Sequence, residues 1–182
     1  MRQDPDVMLL GEIRDEETAA IAIRAAMTGH LVLSTLHTND AITSIPRLLD
    51  LGVDKFMLAS SLRAVIAQRL IRKICPYCRA QHDYLPGALR DLGLPELEGK
   101  VAAGYQGGGC AACNHTGYIG RTVAGEIFII DDAMRELIYQ GGSLQMIRDI
   151  AVKNGMRVMQ QDAIAKAVNG ITSFEEVVRV IG

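Results

Sequence analysis

The chain has 182 residues, of which 49% are hydrophobic and 22% are charged, and this balance excludes an intrinsically disordered polypeptide. Its 19 lysine and arginine residues against 21 aspartate and glutamate residues argue against the strongly basic surface of a nucleic-acid-binding protein. No apolar run reaches the roughly 20 residues needed to cross a bilayer, and the N-terminal residues lack a signal-peptide core. These features predict a globular cytoplasmic protein that reaches any membrane through a partner.

The first predicted strand ends in an acidic residue. Residues 7–10 form an uninterrupted apolar run, typical of a parallel strand with both faces covered, and Gly11 and Glu12 follow it. Open α/β sheets bind ligands at such strand ends, where a carboxylate can hold a magnesium-bound water or polarise the water that attacks a phosphate. Glu12 is therefore the candidate for this catalytic carboxylate. The alternative interpretation is that residues 4–6 and Glu12 are only turn residues around a solvated strand.

A helix and a second strand follow the acid. Asp15 is predicted to cap the helix, whose first turn is acidic, and Gly29 is predicted to end it. Residues 30–36 are rich in leucine and β-branched side chains, which favours a strand ending at His37. Because the crossover of a βαβ unit makes its strands parallel, we expect Glu12 and His37 to be neighbours at one edge of the sheet. An imidazole there can sense or neutralise a γ-phosphate.

The next predicted element is a helix from Asp54 to about Ile71. Its buried stripe would contain Leu58, Leu62, Val65, Ile66 and Leu70. Basic residues collect toward its C-terminal end, as a solvated face or as a subunit contact.

All four cysteines fall in two C-x-x-C pairs, which are Cys75 with Cys78 and Cys110 with Cys113. Two such pairs can place four thiolates around one structural zinc ion. The alternative is a pair of disulfides or a redox motif, but nothing in the sequence suggests export, and cytosolic thiols stay reduced. The segment between the pairs shows little periodicity, so we expect the metal to hold it folded.

The remaining sequence predicts a strand and several short helices. Residues 121–130 predict a strand or hairpin arm, in which Glu126 has no assigned role. Helices are predicted over 143–154 and 157–169, and residues 173–176 have the pattern of a capping box for a last helix. These helices are expected to form one small packing unit.

Two segments of the chain resemble a known family. RQDPDVMLLGEIRD at residues 2–15 and TGHLVLSTLHTNDA at residues 28–41 resemble the Walker B and histidine-box segments of the type II secretion and type IV pilus assembly ATPases. The cysteine pairs and the closing helices follow in the order expected for that family. The resemblance implies an α/β fold with a partial RecA-like parallel sheet and flanking helices in residues 1–73. A zinc-binding lobe over 74–120 and a strand with a small C-terminal helical unit over 121–182 would follow.

The resemblance also implies roles for individual residues. Glu12 matches the Walker B glutamate, which acts with magnesium to prepare water for attack, and His37 matches a histidine near the γ-phosphate of ATP. Arg2, Arg14 and Arg121 match family arginines of the active site or of subunit contacts. The implied cofactors are structural zinc in this chain, and ATP with magnesium in the complete protein.

The chain departs from the family at the phosphate-binding loop. That loop needs GxxxxGK followed by Ser or Thr, so that backbone amides and the lysine hold the phosphates. The single Gly-Lys pair, Gly99 and Lys100, is followed by Val101 and has Leu94 where the first glycine should stand. We therefore expect the C-terminal portion of such an ATPase, inactive by itself.

Two functions are compatible with this pattern. In the first, the chain belongs to a ring-shaped hexamer that hydrolyses ATP and moves an inner-membrane platform, with cytoplasmic docking proteins as further partners. In the second, it is a non-catalytic, zinc-stabilised interaction module. The pairing of Glu12 with His37 favours the first function, because a binding module has no use for these residues at matched strand ends. By family resemblance, the cysteine pairs favour secretion and assembly ATPases over retraction motors.

Overall fold

The computed structural model describes residues 6–101 and 103–182 and has an α/β fold. Arg2 and residues 4–5, for which the sequence made predictions, lie outside these ranges. The strands are β1 (Val7–Leu9), β2 (Leu31–Leu33), β3 (Ala64–Ile74), β4 (Arg79–Asp83), β5 (Ala103–Gly107) and β6 (Tyr118–Ile129). The helices are α1 (Glu16–Met27), α2 (Ser44–Asp50), α3 (Lys55–Ser61), α4 (Ala88–Asp91), α5 (Asp132–Gln140), α6 (Leu144–Lys153), α7 (Met159–Val168) and α8 (Phe174–Ile181). Within the described residues, every helix is too short or too polar to span a lipid bilayer.

Two compact units share the chain, and each is built from two separate segments. The first unit contains the residues up to Ala67 together with Ile127–Met156, and the second contains Gln68–Glu126 together with Arg157–Gly182. β3 and β6 pair with each other, and both strands contribute residues to both units. The division into three consecutive segments stays a prediction.

The first unit begins with the predicted βαβ arrangement. β1 and β2 pair in parallel with Met8 opposite Val32, and α1 connects them. The Asp15 side chain accepts a hydrogen bond of 2.8 Å from the Thr18 amide, which confirms the predicted N-cap. Gly29 follows the end of α1 with a φ of +100°, a conformation that only glycine adopts without strain.

The prediction that both faces of β1 are covered is wrong. Val7 and Leu9 are 54% and 78% exposed, and Leu31 and Leu33 of β2 are also exposed. The reason is that β1 and β2 form a two-stranded sheet within the described residues. An apolar run indicates burial only where further layers cover the strand.

The first unit has its hydrophobic core among its helices. Its largest fully buried side chains are those of Ile42, Leu58, Phe128, Met134 and Ile147. Burying a side chain of this size stabilises the fold by roughly 1.5 to 3 kcal/mol. The core therefore fixes α6 through Ile147 and α3 through Leu58.

The helix predicted from Asp54 to Ile71 is wrong in its second half. Asp54 does cap α3, since its side chain accepts from the amides of Phe56 and Met57. However, α3 ends at Ser61, Leu62 has an extended backbone with φ −69° and ψ 128°, and residues 64–74 form β3. The apolar spacing of this segment fits either structure, and pairing with the distant strand β6 decides between them.

The second unit contains more regular structure than the sequence indicated. β4 and β5 pair antiparallel, with Arg79 opposite Gly107 and Asp83 opposite Ala103. The sequence showed little periodicity here because β4 is exposed along its whole length. An amphipathic alternation is therefore missing, although the backbone forms a regular ladder.

Glu126, which had no predicted role, caps a helix from a distance. Its side chain is buried in β6, and Oε2 accepts a hydrogen bond of 2.9 Å from the Met159 amide at the start of α7. The residue at the N-cap position, Val158, has no polar side chain. A carboxylate at a helix N-terminus also interacts favourably with the positive end of the helix dipole. β6 therefore supplies the cap that the helix itself lacks.

Glu176 is the buried centre of an ion-pair network rather than half of a capping box. Ser173 caps α8 as predicted, accepting from the Glu176 amide at 3.3 Å. The Glu176 carboxylate is fully buried and accepts from the Arg72 guanidinium at 2.7 Å and the Arg179 guanidinium at 2.6 Å. Burial raises the pKa of Glu176, but hydrogen bonds from Arg179 and Arg72 outweigh it and lower the pKa from 4.5 to about 2.

We predict that Glu176→Gln lowers the free energy of unfolding of the second unit by about 3 kcal/mol, because it leaves two guanidinium groups without their counter-charge. The estimate is at the lower end for buried pairs since Arg72 and Arg179 are 41% and 56% exposed. Urea unfolding near neutral pH measures the loss. Glu96→Gln, which changes an exposed acid of the same unit, is the matched control.

The same variant has a predicted pH dependence. Because the folded pKa of Glu176 lies below its usual value of 4.5, the stabilisation is complete above that value and is lost as the pH falls toward 2. The difference in unfolding free energy between the two proteins should therefore shrink in acid. A difference that stays constant between neutral pH and about pH 3 would contradict the role of the ionised carboxylate.

Candidate functional site

The first candidate site lies beyond the C-terminal ends of β1 and β2. The parallel pairing continues past both strands, since the Ile13 amide donates to the Thr35 carbonyl at 2.9 Å. The Thr35 hydroxyl in turn donates to the Gly11 carbonyl at 2.8 Å. These bonds fix the backbone on both sides of Glu12 against the segment that leads to His37.

The structure brings Glu12, Arg14 and His37 together. Oε2 of Glu12 lies 3.2 Å from Nε2 of His37 and 2.5 Å from Nε of Arg14. The side chains are 34% exposed for Glu12, 82% for His37 and 71% for Arg14, so the cluster is open to solvent. The expectation that the acid and the histidine share one edge of the sheet is met by this geometry.

The electrostatics of the cluster keep Glu12 ionised. The hydrogen bond from Arg14 lowers the pKa of Glu12 below its usual value, His37 adds to this effect, and burial opposes it. A carboxylate in this state can accept a proton from water or hold a cation-bound water. Arg14 and His37 can supply positive charge or hydrogen bonds to an anion.

The structure gives no contact between this cluster and the other two predicted arginines in the described residues. Arg121 lies on an exposed part of β6 in the second unit, and Arg2 lies outside the described residues. Their roles stay predictions.

The second candidate site is a cluster of the four cysteines in the second unit. All four are free, and their sulfur atoms lie within 4.8 Å of one another. The Sγ–Sγ distance is 3.8 Å from Cys75 to Cys110, 3.9 Å from Cys78 to Cys113 and 3.8 Å from Cys110 to Cys113. Four thiolates around zinc at about 2.3 Å have tetrahedron edges of about 3.8 Å. The donor set therefore fits a tetrahedrally coordinated metal ion.

Backbone amides favour the thiolate form of Cys113, whereas burial raises the pKa of Cys78 to about 12 while no metal is bound. The amides of Cys110 and Gly117 donate to Sγ of Cys113 at 3.1 and 3.3 Å. The bond from Cys110 is the main cause that lowers the pKa of Cys113 to about 6, although burial opposes it. A metal ligand must be deprotonated, so this arrangement prepares the site for a cation. Neither His82 nor His115 belongs to the group of ligand atoms.

Two glycines beside the cysteine cluster were not recognised from the sequence. A Cβ at Gly107 would lie 2.1 Å from the Gly117 carbonyl oxygen, so only glycine permits this close approach of the two backbones. The Gly117 carbonyl also accepts from the Cys75 amide at 2.9 Å. This close approach brings together the backbone on both sides of Cys110 and Cys113.

Comparison with known proteins matches nearly the whole chain to one family. Residues 1–179 match the family described as "Type II/IV secretion system protein". The chain is 47% identical over 180 residues to the type II secretion system protein HxcR of Pseudomonas aeruginosa, and the match covers 99% of this chain and 34% of HxcR. It is also 47% identical over 177 residues to the type IV pilus assembly ATPase PilB of Thermus thermophilus, covering 97% of this chain and 20% of PilB.

A solved structure supports the same relationship. The crystal structure of the pilus retraction motor PilT with bound ADP superimposes with a TM-score of 0.66 and 29% sequence identity, and the match covers 98% of this chain and 40% of that chain. The α/β fold is therefore similar to part of PilT. The chain spans about a third or less of the length of the two relatives described above.

Proposed function

Because this chain belongs to the type II/IV secretion system protein family, we propose that it forms the C-terminal part of a cytoplasmic ATPase that powers type II protein secretion or type IV pilus assembly. In this proposal the first unit contributes one side of a RecA-like nucleotide site, and the complete protein works as a ring-shaped hexamer. Nucleotide chemistry is supported by the relatives, which include a pilus assembly ATPase and a retraction motor with bound ADP.

The observation that carries the proposal is the 3.2 Å contact between Glu12 and His37 beyond two parallel strands. Glu12 is the proposed general base, which would orient and polarise the water that attacks the γ-phosphate. His37 would bind or sense the phosphate oxygens, and Arg14 would neutralise charge beside Glu12 until nucleotide arrives. When bound, magnesium would supply further positive charge for the phosphates. Arg2 and Arg121 are proposed for the active site or for contacts between subunits.

The chain lacks the sequence needed to hold the rest of a nucleotide. Its Gly99–Lys100 pair has neither the preceding glycine nor the following hydroxyl residue of a phosphate-binding loop. Phosphate binding relies mostly on the backbone amides and the lysine of that loop. We therefore propose that this chain alone binds ATP weakly and does not hydrolyse it.

We propose that Cys75, Cys78, Cys110 and Cys113 hold one structural zinc ion. The geometry of the sulfur atoms and the amide donors around Cys113 support a closed four-thiolate shell. Such a shell leaves no open position for a substrate, so the metal would stabilise the second unit rather than take part in hydrolysis. The proposed location is the cytoplasmic face of the inner membrane, through a membrane platform and docking proteins.

The proposed function predicts that ATP turnover appears only when a segment with a phosphate-binding loop is supplied. The experiment compares this chain alone with a fusion to the phosphate-loop half of a full-length relative such as HxcR. We expect weak or no ATP binding and no hydrolysis by the chain alone, and ATP hydrolysis by the fusion. The matched control is the fusion with the lysine of its phosphate loop replaced by alanine.

Each outcome of this comparison separates the alternatives. Vigorous hydrolysis by the chain alone would contradict the proposal that it is an incomplete ATPase. A fusion that folds and assembles into rings but does not hydrolyse ATP would instead indicate a non-catalytic, zinc-stabilised interaction module.

A further inference from the structure

The loop that carries His37 is anchored at one residue, Asp40. This loop, residues 34–43, connects β2 to α2. Oδ1 of Asp40 accepts a hydrogen bond of 2.8 Å from the Thr43 amide, and the Asp40 carbonyl accepts from the hydroxyls of Thr38 and Thr43, both at 3.0 Å. Asp40 therefore closes the turn that follows His37 by using both its side chain and its backbone.

The second carboxylate oxygen of Asp40 binds a distant helix. Nη2 of Arg148, on α6, donates to Oδ2 of Asp40 at 2.7 Å, and 108 residues separate the partners in sequence. Their side chains are 35% and 27% exposed, so the pair is partly protected from solvent. Ile147 and Ala151, which flank Arg148 on the same helix, are buried in the core of the first unit. Arg148 thus projects from a rigidly packed helix.

His37 depends on such anchors for its position. Its side chain is 82% exposed, so packing restrains the imidazole little, and the backbone of the loop decides where it lies. The loop is also fixed at its start, through Thr35 and Gly11. The Asp40–Arg148 pair fixes its other end to a different part of the unit. Burial raises the pKa of Asp40, but hydrogen bonds from Thr43 and Arg148 outweigh it, which keeps the carboxylate charged for this contact.

We infer that Arg148 is a positioning residue, which acts through Asp40 to hold the His37 loop against Glu12. The inference rests on the proposed function, because it assigns α6 a part in building the nucleotide site. Misplacement of a catalytic group by about 1 Å can cost about 10²-fold in rate, and a flexible loop end permits such a displacement. Neither Asp40 nor Arg148 touches the reacting atoms in this scheme.

The first test uses this chain alone and does not require ATP hydrolysis. Arg148→Gln removes the charge from α6, and Asp40→Asn keeps an oxygen for the Thr43 amide while it weakens the ion pair. Hydrogen exchange at the amides of residues 34–43 should accelerate by about tenfold or more in both variants, as expected for the loss of a hydrogen bond between charged groups. Arg148→Lys should restore part of the protection.

A matched control separates this effect from general destabilisation. Arg135→Gln removes another ion-paired arginine of the same unit, whose partner Asp132 lies one turn away on α5. It should leave exchange in residues 34–43 unchanged. The inference is overturned if Arg148→Gln and Asp40→Asn leave the loop unaffected, or if exchange rises equally throughout the first unit. If Arg148→Gln does not fold, Asp40→Asn provides the same measurement.

The second test uses the fusion that carries a phosphate-loop half. Arg148→Gln should lower kcat for ATP by about tenfold or more and change KM by less than about threefold, because it displaces a group that acts in the transition state. A kcat equal to that of the unsubstituted fusion, despite a loosened loop, would overturn the positioning role. If the unsubstituted fusion is inactive, the proposed function fails, and hydrogen exchange alone decides whether Arg148 holds the loop.

Discussion

Removing the proposed zinc ion from the four-cysteine cluster is expected to unfold the strands β4 and β5 and to expose all four thiols. The cysteines lie at the ends of the segment from Cys75 to Cys113, and their sulfur atoms approach one another within 4.8 Å. Without a cation, thiolates at this distance repel one another, and the thiols offer only weak hydrogen bonds. Binding of structural zinc contributes on the order of 10 kcal/mol in zinc-finger peptides, which is comparable to the whole free energy of unfolding of a typical domain.

The measurement combines a chelator with hydrogen exchange. After complete metal removal, the amides of residues 79–83 and 103–107 should lose protection, and thiol reagents should modify four cysteines per chain. The first unit should keep its protection, since the cysteines lie in the second unit and the core of the first unit contains no cysteine. Restoring zinc at one equivalent should reverse both changes.

Substitutions provide the matched comparison. Cys110→Ser should abolish stoichiometric zinc binding, because a hydroxyl is a poor substitute for a thiolate ligand. His115→Asn is the control, since His115 lies beside the cluster without belonging to it and asparagine tolerates its φ of +61°. Retention of the β4–β5 ladder after full metal removal would contradict the structural role. Loss of zinc in His115→Asn would contradict the four-cysteine ligand set.

The features that could be predicted from the sequence depend on residues close to one another in the chain. The helix caps at Asp15, Asp54 and Ser173 each use a side chain that bonds an amide two or three residues later. The parallel pairing of β1 with β2 followed from one helix between two short apolar runs. In such cases the local pattern contains nearly all of the interaction, so a single sequence is sufficient.

The features that could not be predicted depend on contacts between distant segments. Residues 64–74 form a strand only because they pair with β6, and no pattern within that segment distinguishes strand from helix. Glu126 caps a helix that begins 33 residues later, and Arg148 binds an aspartate 108 residues away. One polar residue carries no sign of which remote group it will meet. The sequence therefore identified Glu12 and His37, which the structure brings together, but not the distant residues that hold the surrounding backbone in position.

Replacing Glu12 by glutamine is expected to reduce ATP turnover by about 10² to 10⁴ in the fusion with a phosphate-loop half, the usual contribution of a general base. The amide has nearly the same shape as the carboxylate but cannot accept a proton from the attacking water. It keeps an oxygen that can accept hydrogen bonds from Arg14 and His37, so the local structure should persist. Nucleotide should therefore still bind, and kcat should fall far more than the affinity for ATP.

The control for this substitution is Glu17→Gln. Glu17 is an exposed acid in the first turn of α1 and supports the helix through its dipole, which is worth roughly 0.3 to 1 kcal/mol. It carries the same change of charge a short distance from Glu12 in the sequence. Turnover by this variant should remain close to that of the unsubstituted fusion, which excludes a general effect of charge on the site.

The pH dependence distinguishes a base from a purely structural acid. Since the hydrogen bond from Arg14 holds the pKa of Glu12 below its usual value of 4.5, the carboxylate is ionised above that pH and becomes protonated only in stronger acid. A decline in turnover between neutral pH and about pH 5 would therefore indicate protonation of a group other than Glu12, and Glu12→Gln should show the same relative decline in its residual activity. Turnover by Glu12→Gln within a few-fold of the unsubstituted fusion would show that another group accepts the proton. Parallel loss of nucleotide binding would show that Glu12 shapes the site without acting as its base.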